Sequence, residues 1–316
     1  MSVKDSIYSE SAAYAFFKSF LVPSLRPAFC ECIPSIFFNF FLRQYRAALL
    51  PGRVPVSRVD HPLDAKIPFI PSWVTIYLDF AAFWIRMLSF LLHRYKRRAY
   101  GPVRDFIFSM GRLYAFAAET YRKNFSTTDR PFYIARPRFL VIHLLDPHLM
   151  CVPSLHVMVV IHTYTMLAVI ARAFGDEEKL IPQIREMKQG ALAISQAVLF
   201  VKQHSVNCIS AALYAMTCFD PVLFPPEEAE AFTALLFGQS PAPDESPDGD
   251  ARLLPNYKAH PSASPKTRLL DADRAEIRAH ILGLYRQFLS EKTQAKNWDE
   301  PLLDFMRPLQ RVKHTG

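Results

Sequence analysis

Residues 149–171 contain no Lys, Arg, Asp or Glu. As a helix, these 23 residues would cross about 30 Å of hydrocarbon. Residues 190–219 hold a single formal charge, Lys202, with His204 close by. Thirty residues are too many for one straight span, so the pattern predicts two shorter helices with a polar break at 202–205. Residues 67–92 are apolar apart from Asp79 and Arg86, which stand two helical turns apart and so share a face. Such a pair predicts an internal polar seam that packs helices together, because charges in lipid turn toward protein or water. Residues 103–119 form a weaker span containing Arg104, Asp105 and Arg112. Residues 12–42 are apolar but interrupted by Pro23, Pro27, Glu31 and Pro34, which suggests an interfacial helix followed by one span.

The pattern therefore predicts an all-α, polytopic membrane bundle of about six transmembrane helices, organised as an N-terminal interfacial and first-span region (1–59), a core (60–220) and a tail (221–316). The basic connection at 93–104 argues for the cytoplasm, although 43–66 is basic as well. With 93–104 inside, the segment 120–150 and the break at 202–205 share the outer side and the tail lies in the cytoplasm. In the tail, 237–268 is rich in Pro, Ser, Asp and Gly and suggests a linker or a disordered stretch. Residues 271–292 repeat Ile277, Ile281, Leu282, Leu284, Tyr285 and Phe288 at helical spacing, with Asp271 or Asp273 as a cap. The simplest role for that helix is docking on the bundle; its protein partner, if any, is unspecified.

Composition sharpens this picture. Apolar residues make up 51% of the 316, yet mean hydropathy is only +0.06, because apolar and polar stretches are segregated. Up to Asp220 there are 25 Lys and Arg against 15 Asp and Glu; beyond it there are 12 against 14. Positive charge thus accompanies the apolar part, which suits anionic lipid headgroups and phosphate substrates. No basic helix with interleaved aromatics points to nucleic acid. Cys30, Cys32, Cys151, Cys208 and Cys218 show no CxxC pairing, so neither a zinc site nor a disulfide framework is expected. No secretory signal is apparent at the N-terminus.

Three short pieces carry candidate chemistry. Lys123 is followed seven residues later by Arg130 and Pro131. Pro153, Ser154, Leu155 and His156 open an apolar helix, and Lys202, Gln203 and His204 fall at the break between two apolar halves. Arg130 offers a two-pronged guanidinium and Lys123 a point charge for phosphate oxygens. Ser154 and the first amides of a helix add neutral donors. Two histidines can attack phosphorus and protonate a leaving oxygen.

These pieces resemble the motifs of the type 2 phosphatidic acid phosphatase superfamily, K-x6-R-P, P-S-G-H and S-R-x5-H-x3-D, over roughly residues 60–220. Leu155 in place of Gly, the K-Q-H third piece and the IPFIP segment at 67–71 resemble the inositolphosphotransferase, or inositol phosphorylceramide synthase-like, branch. The resemblance implies a six-helix core and a phosphohistidine route with His204 as nucleophile and His156 as general acid. Lys123, Arg130, Ser154 and Lys202 would cradle the phosphoryl oxygens. It implies no metal and no other cofactor, since fixed cations neutralise the developing charge.

The third motif departs from the family. Its Ser-Arg pair falls on Ala197 and Val198, and its Asp falls on Cys208. Lys202 can stand in for the missing Arg. Asn207 lies beside the Asp position without a charge, and Asp146 and Asp220 are the other candidates. Two readings follow: a membrane phosphatase or phosphotransferase acting on a lipid phosphate, or a catalytically impaired relative that binds phospholipid or a partner without turnover. An unrelated helical transporter would leave the first two motifs unexplained.

Overall fold

Helices begin or end near Pro23, at Asp79 and at the polar turn 201–205, whereas Pro34 lies inside a helix. The computed structural model describes residues 6–50, 53–238 and 269–309. The linker expected at 237–268 therefore lies outside the described residues from position 239 onward.

The chain enters through a short turn, Ile7–Ser9, fixed to the buried Glu186 by the Ser6 hydroxyl and the Ile7 amide. Helix α1 (Ala12–Leu21) is capped by Ser11. Helix α2 (Arg26–Ile36) passes through a π turn, Phe37–Phe41, into α3 (Leu42–Leu49). The break between α1 and this second unit bends the chain by 117°. After β1 (Val56–Arg58) come α4 (Val74–Leu78), α5 (Phe80–Tyr95) and α6 (Tyr100–Lys123). Arg86 donates to both Asp79 carboxylate oxygens at 2.8 and 2.9 Å, which is the polar seam expected from their spacing. The chain reverses at Lys96 (φ 53°), and the Trp84 and Phe106 rings of the two helices come within 6.3 Å.

Strand β2 (Phe125–Thr127) pairs in parallel with β1, placing Val56 opposite Phe125 and Arg58 opposite Thr127. The mostly helical fold thus includes one short ladder, a departure from the all-α expectation. Three residues per strand show no alternation long enough to stand out in the sequence. Then follow α7 (Pro137–Leu145), α8 (Leu155–Ala173), α9 (Ile181–Phe200), α10 (Val206–Phe219) and α11 (Pro226–Leu235), and beyond residue 268 α12 (Asp271–Lys292) and α13 (Glu300–Met306).

Two helical stretches, Pro71–Lys123 and Leu155–Ala173, are long and apolar enough to cross a membrane; the bent pair in the N-terminal region would make a third. The apolar run 190–219 is different. It breaks at 201–205 as expected, but α9 opens with Arg185, Glu186 and Lys188, and every residue of α10 from Val206 to Thr217 is buried. α12 lies along α10 and covers it with Ile277, Ile281, Leu284, Tyr285 and Phe288. α10 is therefore apolar all round because protein encloses it. The outer face of α12 carries Arg286 and Glu291, which would be costly in hydrocarbon.

The tail returns to the end of the bundle that carries the candidate chemistry. Lys66 pairs with Asp273 and Glu276, His280 Nε2 contacts Asn207 Oδ1 at 2.8 Å and stacks on His61, and the Ser57 hydroxyl donates to Met306 O at 3.0 Å. Tail and candidate site thus meet at one end of α10, an arrangement that loop charges do not predict. Counts of Lys and Arg do not register that α12 packs back along α10.

One consequence is a pH dependence. Burial, with His61 adjacent, pushes the His280 pKa down to about 4. Below the ordinary value near 6.5 the unfolded chain takes up a proton that folded His280 refuses, so stability is lost as pH falls from about 6.5 toward 4. The thermal midpoint of wild type should fall across that window, and His280→Gln should flatten the fall. An unchanged pH profile in the variant would contradict this assignment.

Candidate functional site

The site is built where β2 braces the start of α8. The Ser126 hydroxyl accepts from Val152 N at 2.7 Å, Ser126 O accepts from Cys151 N at 3.2 Å, and the Tyr121 hydroxyl donates to Pro153 O at 2.5 Å. These bonds fix the residues before Ser154, which occupies the N-cap position of α8 without bonding its own helix. Its hydroxyl instead lies 3.3 Å from His204 Nε2. His156, in the first turn of α8, is sandwiched by Tyr77 and Phe80 with ring centroids 4.6 and 4.2 Å away.

His204 comes from the tight turn between α9 and α10. The amides of Gln203 and His204 both donate to Val198 O, and Lys202 takes a left-handed conformation (φ 55°) to make the turn. Ser205 then caps α10, while Val206 N donates to Asp64 Oδ1 at 2.9 Å. The outcome is a His204 Nε2 to His156 Nδ1 distance of 3.4 Å, with both rings buried. Residues from the second and third motifs thus meet around one point.

Arg130 binds the turn that carries His204. Its guanidinium donates to Gln203 Oε1 and to Asp146 O, both at 3.2 Å, and among the described residues it has no carboxylate partner. Its charge lies within Coulombic range of His148.

The two lysines are placed differently. Lys123 Nζ contacts both oxygens of the fully buried Asp299 at 2.7 and 2.8 Å. Lys202 Nζ donates to the carbonyls of Asp64 and Ile67, both at 2.5 Å, and burial lowers its pKa from the ordinary lysine value. Neither ammonium reaches the histidine pair; each joins two segments of the fold. Of the six expected site residues, Ser154, His156 and His204 therefore meet, Arg130 binds the turn beside His204, and the two lysines stand apart.

The acid that would orient His204 is also absent from its expected places. Asp220 sits at the far end of α10 and binds the amides of Val222 and Leu223. Asn207 is engaged by Val59 O and His280. Asp146 lines the same small cavity as His204, but its Oδ1 accepts from His148 N at 2.8 Å. Cys208, at the position of the motif's Asp, is a buried free cysteine. His204 Nδ1 is left buried without a hydrogen-bond partner among the described residues.

Two lining residues escaped the sequence reading. His148, left-handed at φ 63°, is bonded through Nε2 to the Thr128 hydroxyl at 2.9 Å and lies 6.5 Å, ring to ring, from His204. Burial, with the Arg130 charge nearby, holds its pKa well below 6.5, so it is neutral. Its place eight residues before His156 was the available signal. Gln44 of α3 is fully buried; its Oε1 accepts from Leu149 N at 3.2 Å and its Nε2 has no partner among the described residues. Nothing near Gln44 in the chain marks it. The cavity these groups enclose is about 10 Å³, the lower limit for a single water.

As it stands, the pocket can share a proton between the His156 and His204 rings and hold one water. A phosphoryl group requires the rings to part and the wall made by Phe40 and Gln44 to move. Phe40 belongs to the π turn, a local irregularity in the helix ladder. No protein-family model, curated protein or solved structure matches this chain.

Proposed function

We propose that this protein is a membrane-associated, metal-independent phosphatase or phosphotransferase of the type 2 phosphatidic acid phosphatase kind, acting on a lipid phosphate through a phosphohistidine at His204. The observation that carries the reading is the placing of Ser154 Oγ and His156 Nδ1 within 3.4 Å of His204 Nε2, from segments about fifty residues apart, with Arg130 bonded to the neighbouring Gln203.

In this mechanism His204 Nε2 attacks phosphorus and the bond to the lipid alkoxide breaks. His156 gives its Nδ1 proton to that alkoxide. Water or an alcohol then attacks the phosphohistidine, returning the proton to His156 and freeing His204. Ser154 and Arg130 bind the phosphoryl oxygens, whose charge is greatest in the transition state. The lipid enters from the membrane through which α5, α6 and α8 pass, with α10 enclosed inside the bundle and the tail on the same side as the site.

A second reading, lipid-phosphate binding without turnover, is favoured by the bare Nδ1 of His204. In serine proteases, neutralising the carboxylate that orients the histidine costs about 10⁴ in rate. Purified protein in detergent separates the two. Phosphate release from phosphatidic acid or diacylglycerol pyrophosphate, blocked by vanadate, is expected from the enzyme. Vanadate binding with neither release of phosphate from either lipid nor its transfer to an added alcohol would overturn turnover and leave binding.

A further inference from the structure

Three arginines of the N-terminal region have no acid to answer them. Arg43 and Arg46 lie on α3 and Arg53 just beyond it. None of the three makes an ion pair with a carboxylate among the described residues. Arg43 Nε is buried with no hydrogen-bond partner, and the charges of Arg46 and Arg122 lie within Coulombic range of Arg43. Like charges gathered at a partly desolvated place repel one another, so the folded chain leaves there a demand for an anion.

The same arginines line an open groove of about 390 Å³ whose remaining walls are apolar, among them Phe38, Leu42, Ala47, Leu50 and Val54. Guanidinium groups beside an apolar cleft match an amphiphile with a negative head. A free inorganic anion would leave the apolar walls wet. The surroundings are apolar too. Phe37, Phe38, Leu49 and Leu50 are exposed, and the Tyr45 hydroxyl ties α3 to Leu144 O of α7, which exposes Leu144 and Leu145. The groove shares no lining residue with the histidine pocket, whose wall includes Phe40 and Gln44.

We propose that this groove binds an anionic phospholipid, its headgroup phosphate held by Arg43, Arg46 and Arg53 and an acyl chain lying along Phe38, Leu42 and Leu50. The site is separate from the histidine pocket and stands whether or not His204 turns over a substrate. Bidentate guanidinium contacts give the headgroup its geometry, and the apolar cleft adds affinity only for an anion that carries a lipid tail.

The test is native mass spectrometry of the full chain released from detergent, with phosphatidylglycerol, phosphatidylcholine of the same acyl chains, or inorganic phosphate. Wild type is expected to retain phosphatidylglycerol and to release phosphatidylcholine, and millimolar phosphate should not displace the lipid. Arg46→Gln with Arg53→Gln, both exposed and outside the core, should weaken retention about 25-fold, at about fivefold per charge. Leu42→Glu, which keeps all three arginines but charges the cleft, should weaken it as well. Unchanged retention in both variants, equal retention of phosphatidylcholine, displacement by inorganic phosphate, or no retention by wild type would each overturn the proposal. An unaltered unfolding transition in the double variant shows that any loss is one of binding.

Discussion

His204→Ala is expected to leave no measurable phosphate release from phosphatidic acid, and His156→Ala to leave a residue about 10²–10⁴ below wild type. The difference follows from their roles. No neighbouring group can replace the attacking nitrogen: Ser154 lies 3.3 Å from His204 Nε2 but has no base other than the imidazole being removed. Water can partly replace a general acid, at the rate cost just given. Both substitutions enlarge a closed pocket, so vanadate binding should survive in each, held by Arg130 and Ser154. Initial rates at saturating substrate, measured beside vanadate affinity, separate loss of chemistry from loss of the site. Equal activity of His204→Ala and wild type would show that the nucleophile is wrongly assigned.

The largest effect on stability is expected at a residue first read as a phosphate ligand. Lys123→Met should destabilise the protein by about 2–3 kcal/mol, because Asp299, fully buried, loses the ammonium that faces both its oxygens. The figure lies below that for a fully buried pair because Lys123 is itself half-exposed and partly screened by solvent. Asp299→Asn should cost less, since it removes the charge that needs a partner. It should also free Lys123 from the tail. Denaturant midpoints of the two variants and of the double variant form the cycle that measures the coupling. Additive losses would show that the contact carries no energy, returning Lys123 to the list of groups available to a ligand.

Much of the scaffold could be read from the chain. The break at 201–205 follows from Lys202, Gln203 and His204 standing between two apolar halves, and the amphipathic repeat at 271–292 forms a helix of those bounds. The Asp79–Arg86 pair follows from spacing alone, being local to one or two helical turns. The meeting of His156 and His204 was expected from their places at helix ends, though their 3.4 Å approach depends on packing.

What was not legible depends on contacts distant in sequence. Lys123 and Asp299 are 176 positions apart, and no local pattern links them. Lys202 looked like a phosphate ligand because its charge interrupts an apolar run, yet the carbonyls of Asp64 and Ile67 absorb it. An apolar run enclosed by protein has the same composition as one enclosed by lipid, so composition alone does not register that α12 covers α10. Gln44 reaches the pocket only because the N-terminal helices fold against α6.

The central claim, that a phosphoryl group passes through His204, is tested most directly by rapid acid-free quenching of the protein with phosphatidic acid labelled in its phosphate. The expected result is a label on the chain that is stable to base, lost in acid, mapped to a peptide containing His204 and missing from His204→Ala. A chain that takes up no label while releasing phosphate, or a label that persists in His204→Ala, would contradict it.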